Sequence, residues 1–504
     1  MKTYILYQKI EIMSNKSINS LATIEQVGRA LQVAMVVLFF SLFTTGCKTP
    51  SLVERSAIAG MPDAYLVASD TNSSAQLSWQ EYFQDRYLVA LIDTALANNQ
   101  ELNIILQEIR IANNEVQAKR GELLPSVSLK GGAGVDKTAR YTPLGANEAT
   151  TDIEPGREMP DPVPDFMLGA VANWEVDIWH KLRNAKKAAT MRYLGSIEGQ
   201  HFMQTNLIAE IAHSYYELLA LDKQLVIVQR NIEIQSSALR IVRIQKTAAR
   251  VTELAVRKFE AEVLHTRSLQ FDIQQHIVVK ENELNFLLGR FPQPIAREST
   301  AFDQLIEQPY RSGVPAQLLG NRPDIRQAEL ALSAAKLEVK VAKARFYPSL
   351  DISAALGLQA FNPSFLVKAP ESVLYGLAGD VTAPLLNRKA IKAAYKSANA
   401  RQLQTVFAYE QTILKAYMEV LNQLNNIENL SASYALRAQE VEALTQSIKI
   451  ANDLFKSARA DYMEVLLTQR DALESKFDLV ETQMQQANAR IALYKALGGG
   501  WQRR

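Results

Sequence analysis

The residues able to do chemistry are few in this 504-residue chain, and their spacing argues against most reactions. The five histidines, His180, His201, His213, His265 and His276, stand 11 to 52 residues apart. None lies at the HxxxH spacing that puts two imidazoles on one helix face, so a resident metal is not expected. The only cysteine is Cys47, which excludes an intrachain disulfide and any CxxC site. No GxxxxGK[ST], GxGxxG or GxSxG motif is present. Carboxylates are spread singly along polar segments, where they read as solvated rather than catalytic. The chain is therefore expected to be no enzyme, and one thiol remains to be explained.

Cys47 directly follows an apolar run. Val33–Phe43 is 11 residues long, too short for the roughly 20 that a bilayer demands, but suited to the core of a signal peptide. Thr44-Thr45-Gly46-Cys47 resembles the end of a bacterial lipoprotein signal, although Thr44 stands where such signals usually carry leucine. The resemblance implies that residues 1–46 are removed and that Cys47 carries a covalent lipid such as palmitate, with no other cofactor. The alternative is a cleaved secretory peptide and a free thiol, and translation starts at Met1 or Met13. The formal charge is +2, and the leader holds four bases and two acids, so the chain beyond it is balanced. Such balance excludes a nucleic-acid binder, which needs a basic stripe for phosphates. A hydrophobic share of 48% excludes disorder.

The elements that must carry any function come in two copies. Leu102–Val135 overlies Ile325–Leu358 at an offset of 223, with Glu115 on Glu338 and Pro125-Ser126 on Pro348-Ser349. Each copy reads as helix, strand, loop, strand and a long helical hairpin. Period-two alternation places strands near 126–135, 166–177, 349–359 and 374–385. In each, one face is apolar and the other polar or small, as a transmembrane barrel strand requires. The 136–165 loop holds five prolines and an acidic excess, in keeping with the outer face of such a barrel. Four strands cannot close, and open edges in lipid leave backbone groups unpaired at several kcal/mol each. Several chains must then share one barrel, and three would leave a lumen where two would nearly fill it.

Residues 179–288 and 386–497 contain no proline and read as hairpins bent near Ala249 and Ala458. Their first arms approach seventy residues, about 100 Å at 1.5 Å per residue, and must pack laterally. A heptad seam runs through Leu466, Leu473, Val480, Ala487 and Tyr494, flanked by Phe477, Met484 and Ile491. The first copy keeps Leu264, Phe271 and Val278 but has Ser268, Gln275 and Asn282 at the second seam position, a row expected to face solvent or a partner.

Asn321-Arg-Pro-Asp-Ile-Arg-Gln-Ala-Glu329 and Asp461-Tyr-Met-Glu-Val-Leu-Leu-Thr-Gln-Arg470, with the closing Leu493-Tyr-Lys-Ala-Leu-Gly-Gly-Gly-Trp501, resemble signatures of the TolC-like outer membrane factor family, in its lipoprotein efflux (NodT-type) branch. The resemblance implies a mainly α fold with a β-barrel contribution. Residues 47–320 would form a first repeat with an N-terminal extension, and residues 321–504 a second. Three chains would share a 12-stranded barrel on a periplasmic α-helical tunnel. The function implied is a passive efflux duct in the outer membrane of a Gram-negative bacterium. It would be lipid-anchored, extend into the periplasm, and be fed by a periplasmic adaptor and an inner-membrane pump of the resistance-nodulation-division type. Family tips carry glycine at the adaptor contact; here Ala249 and Ala458 stand there, followed by Arg250 and Arg459. The family's aspartate ring falls at Asn452 or Asp453. A periplasmic coiled-coil adaptor or scaffold lipoprotein without a pore is the alternative, disfavoured by duplication of the whole plan.

Overall fold

The computed structural model describes residues 50–53, 55–56, 60–65, 72–154, 156–298, 305–307, 309–386, 388–457 and 459–502. After two short helices, α1 (Trp79–Tyr82) and α2 (Arg86–Asn98), the first repeat runs α3 (Gln100–Gly121), β1 (Ser126–Asp136), α4 (Pro143–Glu148), β2 (Asp152–Glu154), β3 (Arg157–Glu158), β4 (Val163–Val176), α5 (Lys181–Thr247) and α6 (Glu253–Leu287). A single turn, α7 (Leu318–Asn321), leads to the second: α8 (Pro323–Ala344), β5 (Ser349–Ala360), β6 (Val373–Thr382), α9 (Lys389–Lys456) and α10 (Tyr462–Ala496). The copies match in length: α3 and α8 have 22 residues each, α5 and α9 have 67 and 68, and α6 and α10 have 35 each. The fold is mainly helical with one four-stranded antiparallel sheet, as the sequence leads one to expect.

The chain divides into two compact units. One contains residues 119–186 and 336–401, and hence the sheet, in the order β1-β4-β5-β6. Leu129 lies opposite Ala170, Ala170 opposite Leu356, and Leu356 opposite Tyr375. Val127, Ala172, Ala354 and Leu377 form the next row of the same face. That face is apolar throughout. The other presents Ser128, Lys130, Asp165, Asn173, Ser353, Gln359 and Asp380 among small residues such as Gly169 and Gly357, which lie directly opposite one another. The hydrophobic burial in this unit centres on the junction of helix and strand, where Phe346 packs edge-on against Tyr395 beside Ala342.

The strands differ in detail from their expected spans. β4 starts at Val163, before the expected 166; its first three residues pair with β1 alone, since β5 joins only at Phe166, so Pro164 stands where β4 is locally an edge. β6 stops at Thr382 rather than 385, since Pro384 cannot extend the ladder. The 136–165 loop folds locally: α4 is capped by Thr142, whose hydroxyl accepts the Gly145 N–H at 3.2 Å.

The second unit holds most of the long helices. Its core joins α2, α5, α6 and α10 through Leu88, Ile92, Ile208, Ile211, Leu218, Leu284 and Ile491, with Tyr82 stacked on Tyr494 at 4.0 Å. A second cluster joins α8, α9 and α10 through Ile325, Val406, Ile413, Val420 and Leu493. Gly199 of α5 lies against the end of the Gln327 side chain of α8, whose amide nitrogen would be 3.0 Å from an added Cβ. Helices this long without proline need such lateral packing, because isolated helical turns contribute little.

Candidate functional site

The hairpin turn of the first repeat is built by its own backbone. Ala249 takes a left-handed conformation (φ 55), its N–H bonding Lys246 O and the Arg250 N–H bonding Gln245 O, both at 2.9 Å. This is a Schellman-type ending, in which the left-handed residue is ordinarily glycine. Alanine here carries a steric penalty of about 1 kcal/mol. Lys246 pairs with Glu253 across the turn, and Glu253 also binds Arg257 at 2.9 Å, so Arg250 is left exposed at the tip. In the second hairpin the Arg459 N–H bonds Leu454 O at 2.9 Å, the counterpart of the Arg250 bond, and Arg459 is likewise exposed. Ala458 and Cys47 lie outside the described residues.

Asn452 and Asp453 sit on the last turns of α9. Their neighbours Ala451 and Phe455 pack against the cluster that includes Val242, Phe259 and Val465, while Asp453 faces outward. Its carboxylate is exposed and meets Lys456 Nζ at 3.4 Å, one turn on; Asn452 is half-buried. Neither residue touches the tip of the first hairpin in any hydrogen bond or ion pair among those described.

Strand register also assembles a group that sequence spacing does not reveal. Glu175 lies opposite Asp351, and Asp351 opposite Asp380, so three carboxylates form one row across β4, β5 and β6 on the polar face. Lys181 pairs with Glu175, and the Ser349 hydroxyl donates to Asp351 at 3.1 Å. The residues are 176 and 29 positions apart in sequence, so only the ladder connects them. Such a row lining an aqueous passage favours cations.

The signature at Arg322 is structural. Its guanidinium, 6% exposed, binds both Asp324 oxygens (3.0 and 2.7 Å), Glu419 (2.7 Å) and the Ala496 carbonyl (3.0 Å). Burial opposes its charge, but Asp324 and Glu419 outweigh burial and hold its pKa above the ordinary arginine value. Asp324 also caps α8 by accepting the Ile325 N–H at 3.0 Å. Arg322 thus ties the start of the second repeat to α9 and to the end of α10. His213 is half-buried with Nδ1 2.9 Å from Asn488 Oδ1, and desolvation pushes its pKa below the usual imidazole value despite that hydrogen bond.

The heptad rows part company. In α10 Leu466, Val480, Ala487, Ile491 and Tyr494 are buried, as a seam should be. In α6 the matching Leu264, Phe271 and Val278 are exposed, Phe271 by 69%, while Val263, Thr266 and Ile273 form the buried stripe. The expected seam of the first copy is therefore an outward apolar row, and its companion Ser268, Gln275 and Asn282 is exposed as well.

Comparison with known proteins follows the same lines. The family model described as outer membrane efflux protein matches residues 91–290 and 314–499. The chain is 28% identical over 454 residues to the pyoverdine export outer membrane protein OpmQ of Pseudomonas aeruginosa, covering 90% of this chain and 94% of that protein. It is 24% identical over 465 residues to the cation efflux system protein CusC of Escherichia coli K12, covering 91% and 98%. Its fold matches the open state of the MtrE outer membrane channel of Neisseria gonorrhoeae with a TM-score of 0.78 at 22% identity, covering 90% of this chain and 98% of that one. A membrane protein from Pseudomonas aeruginosa matches with a TM-score of 0.80 at 22% identity, covering 89% and 99%. With the family model spanning most of both repeats, the chain belongs to the outer membrane efflux protein family, and is the outer-membrane channel component of an efflux system.

Proposed function

We propose that three copies of this chain close one twelve-stranded barrel continuous with a helical periplasmic tunnel, and that the assembly is a passive duct. The observation that carries this reading is the sheet: one face wholly apolar, the other largely polar or small, and both edge strands, β1 and β6, unpaired along their outer sides among the described residues. In lipid such edges must be satisfied by neighbours, and twelve strands leave a lumen. The exposed row Leu264, Phe271 and Val278 supplies apolar surface for lateral contact between subunits.

A periplasmic adaptor meets the tips at Ala249-Arg250 and Ala458-Arg459, and an inner-membrane pump of the resistance-nodulation-division type delivers the cargo. Asp453, or Asn452 beside it, narrows the inner end; three aspartates about one axis attract cations and repel each other, giving a filter that can also open. Lipid on Cys47 adds a second hold on the membrane. Relatives are named for cargoes as unlike as pyoverdine, cations and toluene, so the pump rather than the duct sets the substrate.

Conductance in planar bilayers, with chemical crosslinking for subunit number, tests the reading. Trimers that conduct weakly, and strongly once Asn452 and Asp453 are both replaced by alanine, are expected. A monomer that never conducts, with or without those replacements, refutes it. Incorporation of labelled palmitate that survives Cys47→Ala would refute the anchor alone.

A further inference from the structure

One end of the sheet carries a charge pattern that helix stability does not explain. Ser126 lies opposite Asn173, Val176 opposite Leu350, and Ser349 opposite Thr382, so all four helix–strand junctions sit at that end. Three of the four junctions carry exposed, unpaired cations; at the fourth, β4–α5, Lys181 and Arg183 pair with Glu175 and Asp177. Arg120 and Lys343 close α3 and α8, Arg345 follows α8, and Lys389 and Lys392 open α9; all five are exposed and form no ion pair among the described residues. Cations at the end of a helix suit its dipole, but cations at the start oppose it. Both long helices nonetheless begin with lysine and have no acid in the first turn. In α5 the opposition is relieved by Asp177, whose two oxygens accept the Leu182 and Arg183 N–H groups at 2.9 Å. In α9 no acid does so within that turn. At the opposite end of the sheet the 136–165 loop is acidic.

The same basic end bears an interfacial aromatic pair. Trp179, half-exposed, stacks on Tyr347 at 4.8 Å and donates its indole N–H to the Pro348 carbonyl at 2.7 Å. The pair lines a cleft of about 270 Å³ with Glu175, Asp177, Lys181 and Arg345; Lys181 is paired with Glu175, and Arg345 forms no ion pair among the described residues. Tryptophan and tyrosine at the edge of an apolar band mark the headgroup level of a bilayer, and exposed lysines and arginines there attract anionic lipid.

We propose that these junctions form a cationic belt that binds the phosphates of anionic phospholipids, in the leaflet that borders the basic end of the sheet. A lipid surface is favoured over an acidic protein because the cations stand at the ends of strands that have an apolar face, and Arg345 shares a cleft with the aromatic pair. The belt also gives the sheet an electrical polarity that fixes which end faces the phospholipid leaflet.

The proposal rests on the sheet lying in the membrane, and the test separates the two. The full chain is reconstituted in phosphatidylcholine vesicles containing a trace of spin-labelled phosphatidylglycerol or spin-labelled phosphatidylcholine, and the motionally restricted fraction of each is measured. Restricted phosphatidylglycerol is expected to exceed phosphatidylcholine severalfold, less so at high salt. Replacing Arg345 and Lys389 together by glutamine should reduce that preference by about fivefold for each cation reaching a headgroup. Lys258→Gln, on the exposed tip of the first hairpin, should leave it unchanged. Conducting protein with no preference, or with a preference that survives the double replacement, overturns the belt and leaves the duct intact. Protein that never enters the vesicles overturns the duct reading and the belt with it.

Discussion

Lysine placed on one face of β6 should be tolerated and on the other should not. Leu377 stands at the middle of the ten-residue strand, 80% exposed on the apolar face opposite Ala354; Ala378, one residue on, faces the other way opposite Ser353. If the apolar face meets lipid, Leu377→Lys puts an ammonium near the bilayer midplane, at about 2–4 kcal/mol. At about 1.4 kcal/mol per tenfold, the folded-to-unfolded ratio falls by about 30-fold to several hundred-fold. Ala378→Lys adds the same charge to a face that already holds Asp380 and Lys130, and the change should stay within about 1 kcal/mol. The assay is a urea titration of folding into thin-bilayer vesicles, followed by tryptophan fluorescence and by the gel-mobility difference between folded and unfolded protein. Equal losses, or a larger loss for Ala378→Lys, would show that the apolar face is not the lipid face.

Three further outcomes follow from the helical parts. Arg322→Ala leaves Asp324 and Glu419 without their partner and should cost about 3–5 kcal/mol, read as a lower urea midpoint; Arg322→Lys should recover only part of it, lacking the paired contact with Asp324. Ala249→Gly relieves a left-handed alanine and should stabilise the tip by up to about 1 kcal/mol, seen as slower amide exchange at Arg250; faster exchange would contradict the turn geometry. Partial burial disfavours the charged form of His213, so its folded pKa lies below its unfolded one. Its stabilising contribution is therefore present above the usual imidazole pKa and is lost as pH falls through that value toward the folded one. His213→Gln should flatten that slope, and an unchanged slope between about pH 7 and 5 would assign it to other groups.

Much of the architecture was legible because its signals are long and periodic. A repeat offset of 223 read from Glu115 and Glu338 lands on two 22-residue helices, and proline-free stretches of more than one hundred residues yield hairpins whose turns fall at Ala249 and next to Arg459. Alternation located four strands because each has one apolar face. Less was legible where a pattern gives the spacing of a row but not what covers it. Leu264, Phe271 and Val278 share the heptad of Leu466, Leu473 and Val480, yet the first set is exposed, because burial depends on a neighbour that spacing does not name. The row of Glu175, Asp351 and Asp380 depends on ladder register across the two repeats. The small folds of the 136–165 loop are too short for periodicity to detect. At the tip, glycine is what resemblance leads one to expect, but two backbone hydrogen bonds suffice to hold Ala249 left-handed.

The two free edges of the sheet are different strands, and this governs how copies must join. Because β1, β4, β5 and β6 alternate in direction, β6 of one chain meets β1 of the next antiparallel, a head-to-tail contact rather than a self-complementary one. Such contacts either close into a ring or propagate. In the proposed three-subunit ring every junction lies in series, so one chain with a damaged edge leaves a seam that its intact neighbours cannot seal. In a cell making equal amounts of sound and edge-defective chains, only about one ring in eight would be free of the defect. Damage to either edge should therefore behave as a dominant trait, whereas loss of a solitary lumen side chain should not.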